Sequence, residues 1–170
     1  MSDRLHSDTA LVQFSERLTN SAAFGSLFRE GMDLVEETAA YLDGVGRLEA
    51  KALDRSVSLT YATESMRLTT RLMQLASWLL LHRAVKEGEM TLSQASREKT
   101  KVKLSAADPS PDDMLLKLPQ QLQDLIARSM TLQAKVRRID TTIHAPVSEQ
   151  APIGNPLVPQ MNRLKAAFER

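Results

Sequence analysis

The chain has 170 residues, of which 42% are apolar and 25% are charged, so its composition suits one globular domain and excludes wholesale disorder. Its 22 basic and 21 acidic residues give a formal net charge of +1, and no overall field therefore draws the chain to nucleic acid or to an anionic membrane. The absence of cysteine excludes disulfides, thiolate metal sites and a cysteine nucleophile, and it fits the cytoplasm, where we expect the protein to act.

The first segment, residues 1–20, is polar with a few scattered apolar residues, and we expect it to be a loose N-terminal arm. It opens with MSDRLHSD, which lacks the apolar core of a signal peptide. The most apolar stretch of the chain, Ala76 to Leu81, is far shorter than the roughly 20 residues that span a bilayer. We therefore expect no membrane segment.

Two amphipathic helices follow the arm. The first is predicted from Ser21, a suitable N-cap, to Leu42, with an apolar face opposite an acidic one. After a connection that begins at the glycines flanking Val45, the second is predicted from Asp54 to Lys86. It contains neither glycine nor proline and is expected to end at the following glycine.

The second predicted helix carries two sets of apolar residues at helical spacing. One set is Leu59, Ala62, Met66, Thr69, Met73, Ala76 and Leu80; the other is Tyr61, Leu68, Leu72, Leu75 and Leu79. On a helical wheel the two sets merge into one arc that covers about half of the circumference. We therefore expect this helix to contact more than one neighbour, with Met66 and Met73 filling the core.

A break from Glu89 to Pro111 separates the second helix from the third. Within it, Thr91 and Gln94 have the spacing of a capping box, which predicts a short helix to about Thr100. The third helix is predicted to begin near Pro111 or at Pro119, because proline is best tolerated at the first position of a helix.

The third helix has apolar residues that alternate three and four apart from Leu115 to Ile143, a heptad pattern broken only at Ser129. The predicted fold class is all-α: an antiparallel three-helix bundle over residues 21–144, with the arm before it and a flexible, proline-rich tail over 145–170. The tail ends in an amphipathic segment with one apolar face, formed by Leu157, Met161, Leu164 and Phe168. A helix of about a dozen residues is marginal alone in water, so this segment needs a surface to dock on.

No spacing of residues predicts a catalytic or metal site. The three histidines, His6, His82 and His144, lie far apart and have no acidic or histidine partner at metal-ligand spacing. The sequence Gly44-Val45-Gly46 follows a helix instead of a strand and lacks the lysine of a phosphate-binding loop. We therefore expect no enzyme activity, no cofactor and no metal.

Trp78, the only tryptophan, falls on the side of the second helix opposite the merged arc, near Arg67, Arg71 and His82. Because Trp and Arg are enriched at the hot spots of protein interfaces, these four residues form one candidate protein-binding surface. Alternatively, the segment Glu89 to Pro111 folds back over Trp78, or the ring lies in a dimer seam. The apolar face of the tail is the second candidate protein-binding surface.

One basic run, Arg97, Lys99, Lys101 and Lys103, could contact nucleic acid. Glu98 interrupts it and no aromatic residue is interleaved for stacking on bases, which favours a solvated face. A transcription-linked helical regulator that binds nucleic acid or polymerase-associated proteins is the alternative function. The main expectation is that the chain binds no nucleic acid.

The segment YATESMRLTTRLMQLASWLLLHRAVKEGEMT, Tyr61 to Thr91, resembles the signature segment of the family of the regulator of CtrA degradation, RcdA. The stretches YLDGVGRLEAKAL before it and LPQQLQDLIARS after it are also similar, so the resemblance spans roughly Tyr41 to Asp140. Glu64, Arg67, Arg71, Trp78 and His82 all lie in the matching segment.

This resemblance implies a three-helix bundle that forms a homodimer in the alphaproteobacterial cytoplasm. It also implies a non-enzymatic adaptor that helps the ClpXP protease degrade cell-cycle regulators once a response regulator has primed the protease. The partners implied in this way are ClpX, the response-regulator primer, the cell-cycle regulator substrates and a second copy of the chain.

Overall fold

The computed structural model describes residues 22–99 and 110–143, and within them it has six helices and no strand. The helices are α1 (Ala22–Asp43), α2 (Val45–Lys51), α3 (Arg55–Lys86), α4 (Leu92–Lys99), α5 (Asp112–Leu115) and α6 (Gln120–Ile143). The all-α class is confirmed, and the three long helices start and end close to their predicted bounds. The arm and the tail, with Leu157, Met161, Leu164 and Phe168, lie outside the described residues.

The long helices α1, α3 and α6 pack around one core, and α1 runs opposite to α3. Phe24, near the start of α1, lies 6.4 Å from the ring of Trp78 near the end of α3. At the other end of the pair, Tyr41 lies beside Tyr61, early in α3. The short connection through α2 makes this antiparallel hairpin possible.

Helices α3 and α6 run in the same direction. Arg71 and, further along α3, Trp78 form hydrogen bonds with Ser129 and, further along α6, Asp140. A parallel pair requires a return connection, and the two short helices of this connection, α4 and α5, both contact α3. The bundle therefore has α1 antiparallel to both of the other long helices.

A glycine lets α1 approach both neighbours closely. Gly31 is buried, and a Cβ at this position would collide with Cδ1 of Leu79 and lie 3.6 Å from Cδ2 of Leu132. Any larger residue would therefore force the side chain of Leu79 or α1 itself to move within the packed core.

The signals predicted for the end of α3 and the start of α4 are confirmed. Gly88 has a φ of 75°, and the N–H of Glu89 donates to the carbonyl of Ala84 at 3.0 Å, as in a Schellman motif. Thr91 and Gln94 form the reciprocal bonds of a capping box, with backbone N–H to side-chain oxygen distances of 2.9 and 3.2 Å.

Two features of the connections differ from the sequence prediction or extend it. Residues Val45–Lys51, predicted only as part of a connection, form α2, which is held to α1 by the Tyr41 hydroxyl donating to Glu49 Oε2 at 2.9 Å. Both proposed starts of the third helix are used, because Pro111 precedes the short α5 and Pro119 precedes α6.

The two apolar sets of α3 have opposite environments. Leu68, Leu72, Leu75 and Leu79 are buried at 0 to 3% exposure, whereas Leu59, Met66, Met73 and Leu80 are 71%, 72%, 66% and 52% exposed. The expectation that the two methionines fill the core is therefore wrong. At about 100° per residue the centres of the two sets lie more than 100° apart, so only one of them can point into the bundle.

Candidate protein-interaction surfaces

Trp78 and His82 lie inside the bundle and not on its surface, with exposed fractions of 1% and 0%. Their rings stack with centroids 3.9 Å apart, and the indole Nε1 donates to Asp140 Oδ1 at 2.8 Å. The prediction that these two residues form an open contact surface is wrong. The merged arc includes the exposed apolar set of α3, so the helical wheel places the expected centre of the core too far from Trp78. The indole N–H, the polar group of the ring, forms its hydrogen bond within the chain.

Asp140 also fixes α4 against the bundle. Its Oδ2 forms an ion pair with Lys99 Nζ at 2.5 Å, and both side chains are partly buried. One residue of the basic run is therefore used in an internal contact, while Arg97 is exposed. Lys101 and Lys103 lie outside the described residues.

A polar cluster joins the first half of α3 to the start of α5. Glu64 is only 3% exposed, and its Oε1 accepts from Arg67 Nη1 at 2.6 Å and from the Ser110 hydroxyl at 2.5 Å. Arg67 Nη1 also lies 3.1 Å from the Ser110 oxygen. A buried carboxylate is tolerated here because a guanidinium and a hydroxyl both donate to it. The sequence pattern does not indicate this role of Glu64, since acidic residues are rarely buried.

Arg71 extends this polar strip toward α6. Its Nη1 donates to the hydroxyl of Ser129 at 2.8 Å, and that hydroxyl donates to the carbonyl of Ile126 at 2.7 Å. Burial lowers the pKa of the Arg71 guanidinium, the nearby Glu64 opposes this change, and Arg67 adds to it. Arg67 and Arg71 are half-buried and already bonded, and their role in binding a partner stays a prediction.

The side of α3 that faces away from the core is apolar. We call it the α3 outer face and define it by Leu59, Ala62, Met66, Thr69, Met73, Ala76 and Leu80, which are exposed except for the half-exposed Ala76. None of the fully exposed residues between Ser56 and Leu80 is charged. A long uncharged strip with four large apolar side chains is unusual on a protein surface and indicates an interaction site.

Hydroxyl groups beside the α3 outer face are satisfied by the helix itself. Thr63 donates to the Leu59 carbonyl at 3.0 Å, Thr69 to the Ser65 carbonyl at 2.9 Å, and Ser77 to the Met73 carbonyl at 2.8 Å. These hydroxyls can be removed from water without losing their hydrogen bonds, so a partner helix could cover this face at little cost.

The exposed side of the α1 and α6 pair has the opposite character. Lys135 Nζ lies 2.9 Å from Glu30 Oε1, and Arg128 lies 2.7 Å from Glu37 Oε2. The hydrogen bond from Arg128 lowers the pKa of the Glu37 carboxyl, and the same bond raises the pKa of Arg128. A groove of about 460 Å³ lies beside the pair of Glu30 and Lys135 and is lined mainly by small and charged side chains.

Residues 22–99 and 110–143 contain no group of three histidine, aspartate or glutamate side chains that could hold a metal ion. In the same part of the chain, every helix is too short or too polar to cross a membrane. The α3 outer face and the charged side of α1 and α6 are two further surfaces on the described residues that a partner could contact.

Comparison with known proteins gives a family for this fold. A family model described as a protein of unknown function, DUF1465, matches residues 15–168. The crystal structure of RcdA from Caulobacter crescentus CB15 is similar at 49% sequence identity over 74% of this chain and 94% of that chain, with a TM-score of 0.62. No curated protein matches the chain. The chain therefore belongs to the DUF1465 family, which is the RcdA family that the segment Tyr61 to Thr91 resembles.

Proposed function

We propose that this chain is a non-enzymatic, cytoplasmic adaptor that binds the primed ClpXP protease and cell-cycle regulator substrates and so promotes their regulated degradation. The observation that carries this proposal is the 49% identity to RcdA across most of both chains. The response regulator that primes the protease is the further partner, and the chain acts as a homodimer.

The arrangement of side chains supports binding over catalysis. The polar groups of α3 that could resemble a site are all bonded within the chain: Glu64 to Arg67, Arg71 to Ser129 of α6, and His82 to the backbone of α3 itself. The outward side of the same helix presents uncharged apolar side chains. Such a helix offers a partner a surface but offers a substrate no exposed reactive group.

The second element of the proposal is the tail. Its apolar residues Leu157, Met161, Leu164 and Phe168 are separated from α6 by a proline-rich stretch in the sequence, so the tail acts as a tether for a partner. A tether raises the local concentration of what it holds, and a weak contact at its end is then sufficient.

Reconstituted proteolysis tests the adaptor role. We expect that adding the purified chain to ClpXP, the response-regulator primer and a fluorescent cell-cycle substrate accelerates degradation several-fold, only with the primer and without consumption of the chain. A substrate that ClpXP degrades unaided is the control and should be unaffected. Unchanged degradation, together with no ClpX in a pull-down from the native cytoplasm, would contradict the proposal. Binding to duplex DNA that falls steeply with salt would instead support the transcription-linked alternative.

Removing residues 145–170 tests the tether. We expect recruitment of partners to fall by about tenfold or more, while the midpoint of thermal unfolding changes by less than about 2 °C, because a proline-rich stretch separates the apolar end of the tail from the bundle in the sequence. The matched variant keeps the tail but changes its four large apolar residues to serine, and it should lose recruitment to the same extent. A collapse of thermal stability in the truncated chain would show that the tail belongs to the core.

A further inference from the structure

The polar strip of α3 carries more positive than negative charge. Its charged members are Glu64, Arg67 and Arg71, and Arg67 Nη1 lies 2.6 Å from Glu64 Oε1. Arg71 forms no ion pair with any described residue, and the group that accepts its hydrogen bond, the hydroxyl of Ser129, is neutral. The strip therefore contains two guanidinium groups for one carboxylate.

Partial burial makes this excess charge unfavourable. Arg71 is half-buried, and both its burial and the charge of Arg67 lower the pKa of its guanidinium. Glu64 opposes this change without contacting Arg71, since its Oε1 already accepts from Arg67 and from Ser110. A cation that is withdrawn from water is stabilised by an anion that accepts its N–H groups. Arg71 thus lacks the counterion that its surroundings favour.

Arg71 also has N–H groups that no described residue uses. A guanidinium has five N–H donors in a planar fork, and here Nη1 donates to the Ser129 hydroxyl at 2.8 Å. That hydroxyl is itself fixed, because it donates to the carbonyl of Ile126 at 2.7 Å. The guanidinium is therefore held in place before any partner arrives, and its other N–H groups match the two oxygens of a carboxylate.

The adjoining part of α6 carries another unused donor. Gln133 lies one turn after Ser129 on the same side of α6 and is 8% exposed. Its Nε2 has no hydrogen-bond partner in the part of the chain that the structure describes. A buried amide group without an acceptor is uncommon. Donors that lack acceptors thus occur on both of the helices that Arg71 and Ser129 join.

We propose that Arg71, with Arg67 beside it, binds the carboxylate of an aspartate or glutamate side chain from a protein partner. One excess positive charge matches one carboxylate, and arginine is enriched among the residues that dominate protein interfaces. A phosphoryl group carries nearly two negative charges and would be repelled by Glu64. The proposal rests on the proposed function and names a group through which the adaptor holds a partner.

The NMR signal of the Arg71 Nε–Hε group tests the site in the native chain. We expect N-acetyl-aspartate amide to shift this signal with a dissociation constant in the millimolar range, and R71Q, which lacks the signal, identifies it. N-acetyl-asparagine amide has the same shape without the charge and should cause no shift. The control variant is R83Q, because the Arg83 side chain is 50% exposed and already paired with Glu87. It should bind the aspartate probe as the native chain does.

Three outcomes of this titration would overturn the proposal. The first is an Arg71 signal that the aspartate probe does not shift. The second is tighter binding of inorganic phosphate than of the aspartate probe. The third is stronger binding of the probe by D108N, which would mean that Asp108, a residue outside the described ranges, already supplies the carboxylate.

The affinity for a cell-cycle regulator substrate gives the second readout. We expect R71Q to weaken binding by about tenfold or more with full helix content, and R71K to lose less, because lysine keeps the charge but not the fork. R83Q should bind normally. Equal affinities of R71Q and the native chain would overturn the proposal while leaving the adaptor role intact. If the native chain binds the aspartate probe but has no effect on ClpXP, the adaptor role fails and the carboxylate site stands.

Discussion

The two faces of α3 reverse the usual arrangement of a surface helix. The inner face carries a buried carboxylate, two half-buried guanidinium groups and a buried imidazole among its leucines, whereas the outer face carries Leu59, Met66, Met73 and Leu80 in contact with solvent. By contrast, the exposed side of α1 and α6 has the expected charges, joined in pairs across the two helices. The difference shows that polarity alone does not identify the side of a long helix that faces the core.

The inner face remains stable with its polar groups because each is bonded. Glu64 accepts from Arg67 and Ser110, Arg71 donates to Ser129, and the Nδ1 of His82 lies 2.9 Å from the carbonyl oxygen of Trp78. Stability of the bundle depends on the bonded groups of the inner face, whereas any binding through the α3 outer face depends on other residues. Substitutions can therefore separate the two.

The largest expected effect is that of Trp78→Ala on the inner face. The indole is 1% exposed and fills the space between Phe24 and His82, so its removal leaves a cavity and deprives Asp140 of a donor. We expect the free energy of unfolding in urea to fall by about 3 to 5 kcal/mol. Circular dichroism is the suitable signal, because the variant has no tryptophan. A loss below about 1 kcal/mol would contradict the buried position.

A neighbouring pair of residues provides the sharpest comparison of the two faces. Leu72 is 3% exposed and Met73 is 66% exposed, although they are adjacent in α3. We expect Leu72→Ala to cost about 2 to 4 kcal/mol and Met73→Ala less than about 0.5 kcal/mol. Urea denaturation at low concentration measures both. Equal losses would mean that the outer face is covered within a single chain.

The sequence predicts the helices better than their orientation. Glycine and capping signals at Gly88, Thr91 and Gln94 act locally, and their effect on the backbone does not depend on the rest of the fold. Burial of Trp78 and exposure of Met73 depend on where α1, α4 and α6 lie around α3, and a helical wheel contains no such information. The sequence shows the apolar residues of the α3 outer face at helical spacing. This spacing alone predicts that they lie in the core, because apolar residues usually do.

The third prediction concerns the buried carboxylate of the inner face. Glu64→Gln keeps the shape of the side chain but removes the charge that Arg67 and Ser110 donate to. We expect a loss of about 1 to 3 kcal/mol, because hydrogen bonds to a charged group are stronger and the guanidinium would lose its counterion. Glu36→Gln, an exposed change of the same kind on α1, is the control and should cost less than about 0.5 kcal/mol. Equal effects of the two changes would show that the polar cluster contributes no stability.

The smallest effect is expected on the charged side of α1 and α6. The hydrogen bond from Arg128 lowers the pKa of Glu37, so the folded state favours the ionised carboxyl. This stabilisation is present above the ordinary pKa of 4.5 and is lost as the pH falls through the lowered value. Both side chains are about half exposed, and we therefore expect Glu37→Gln to cost only a few tenths of a kcal/mol at about pH 7 and nothing near about pH 2. Urea denaturation at both pH values measures this. If the cost persists unchanged at the acidic pH, the Glu37 side chain stabilises the bundle through its packing and not through its charge. This exposed residue would then contribute to stability in the same way as the apolar residues of α3.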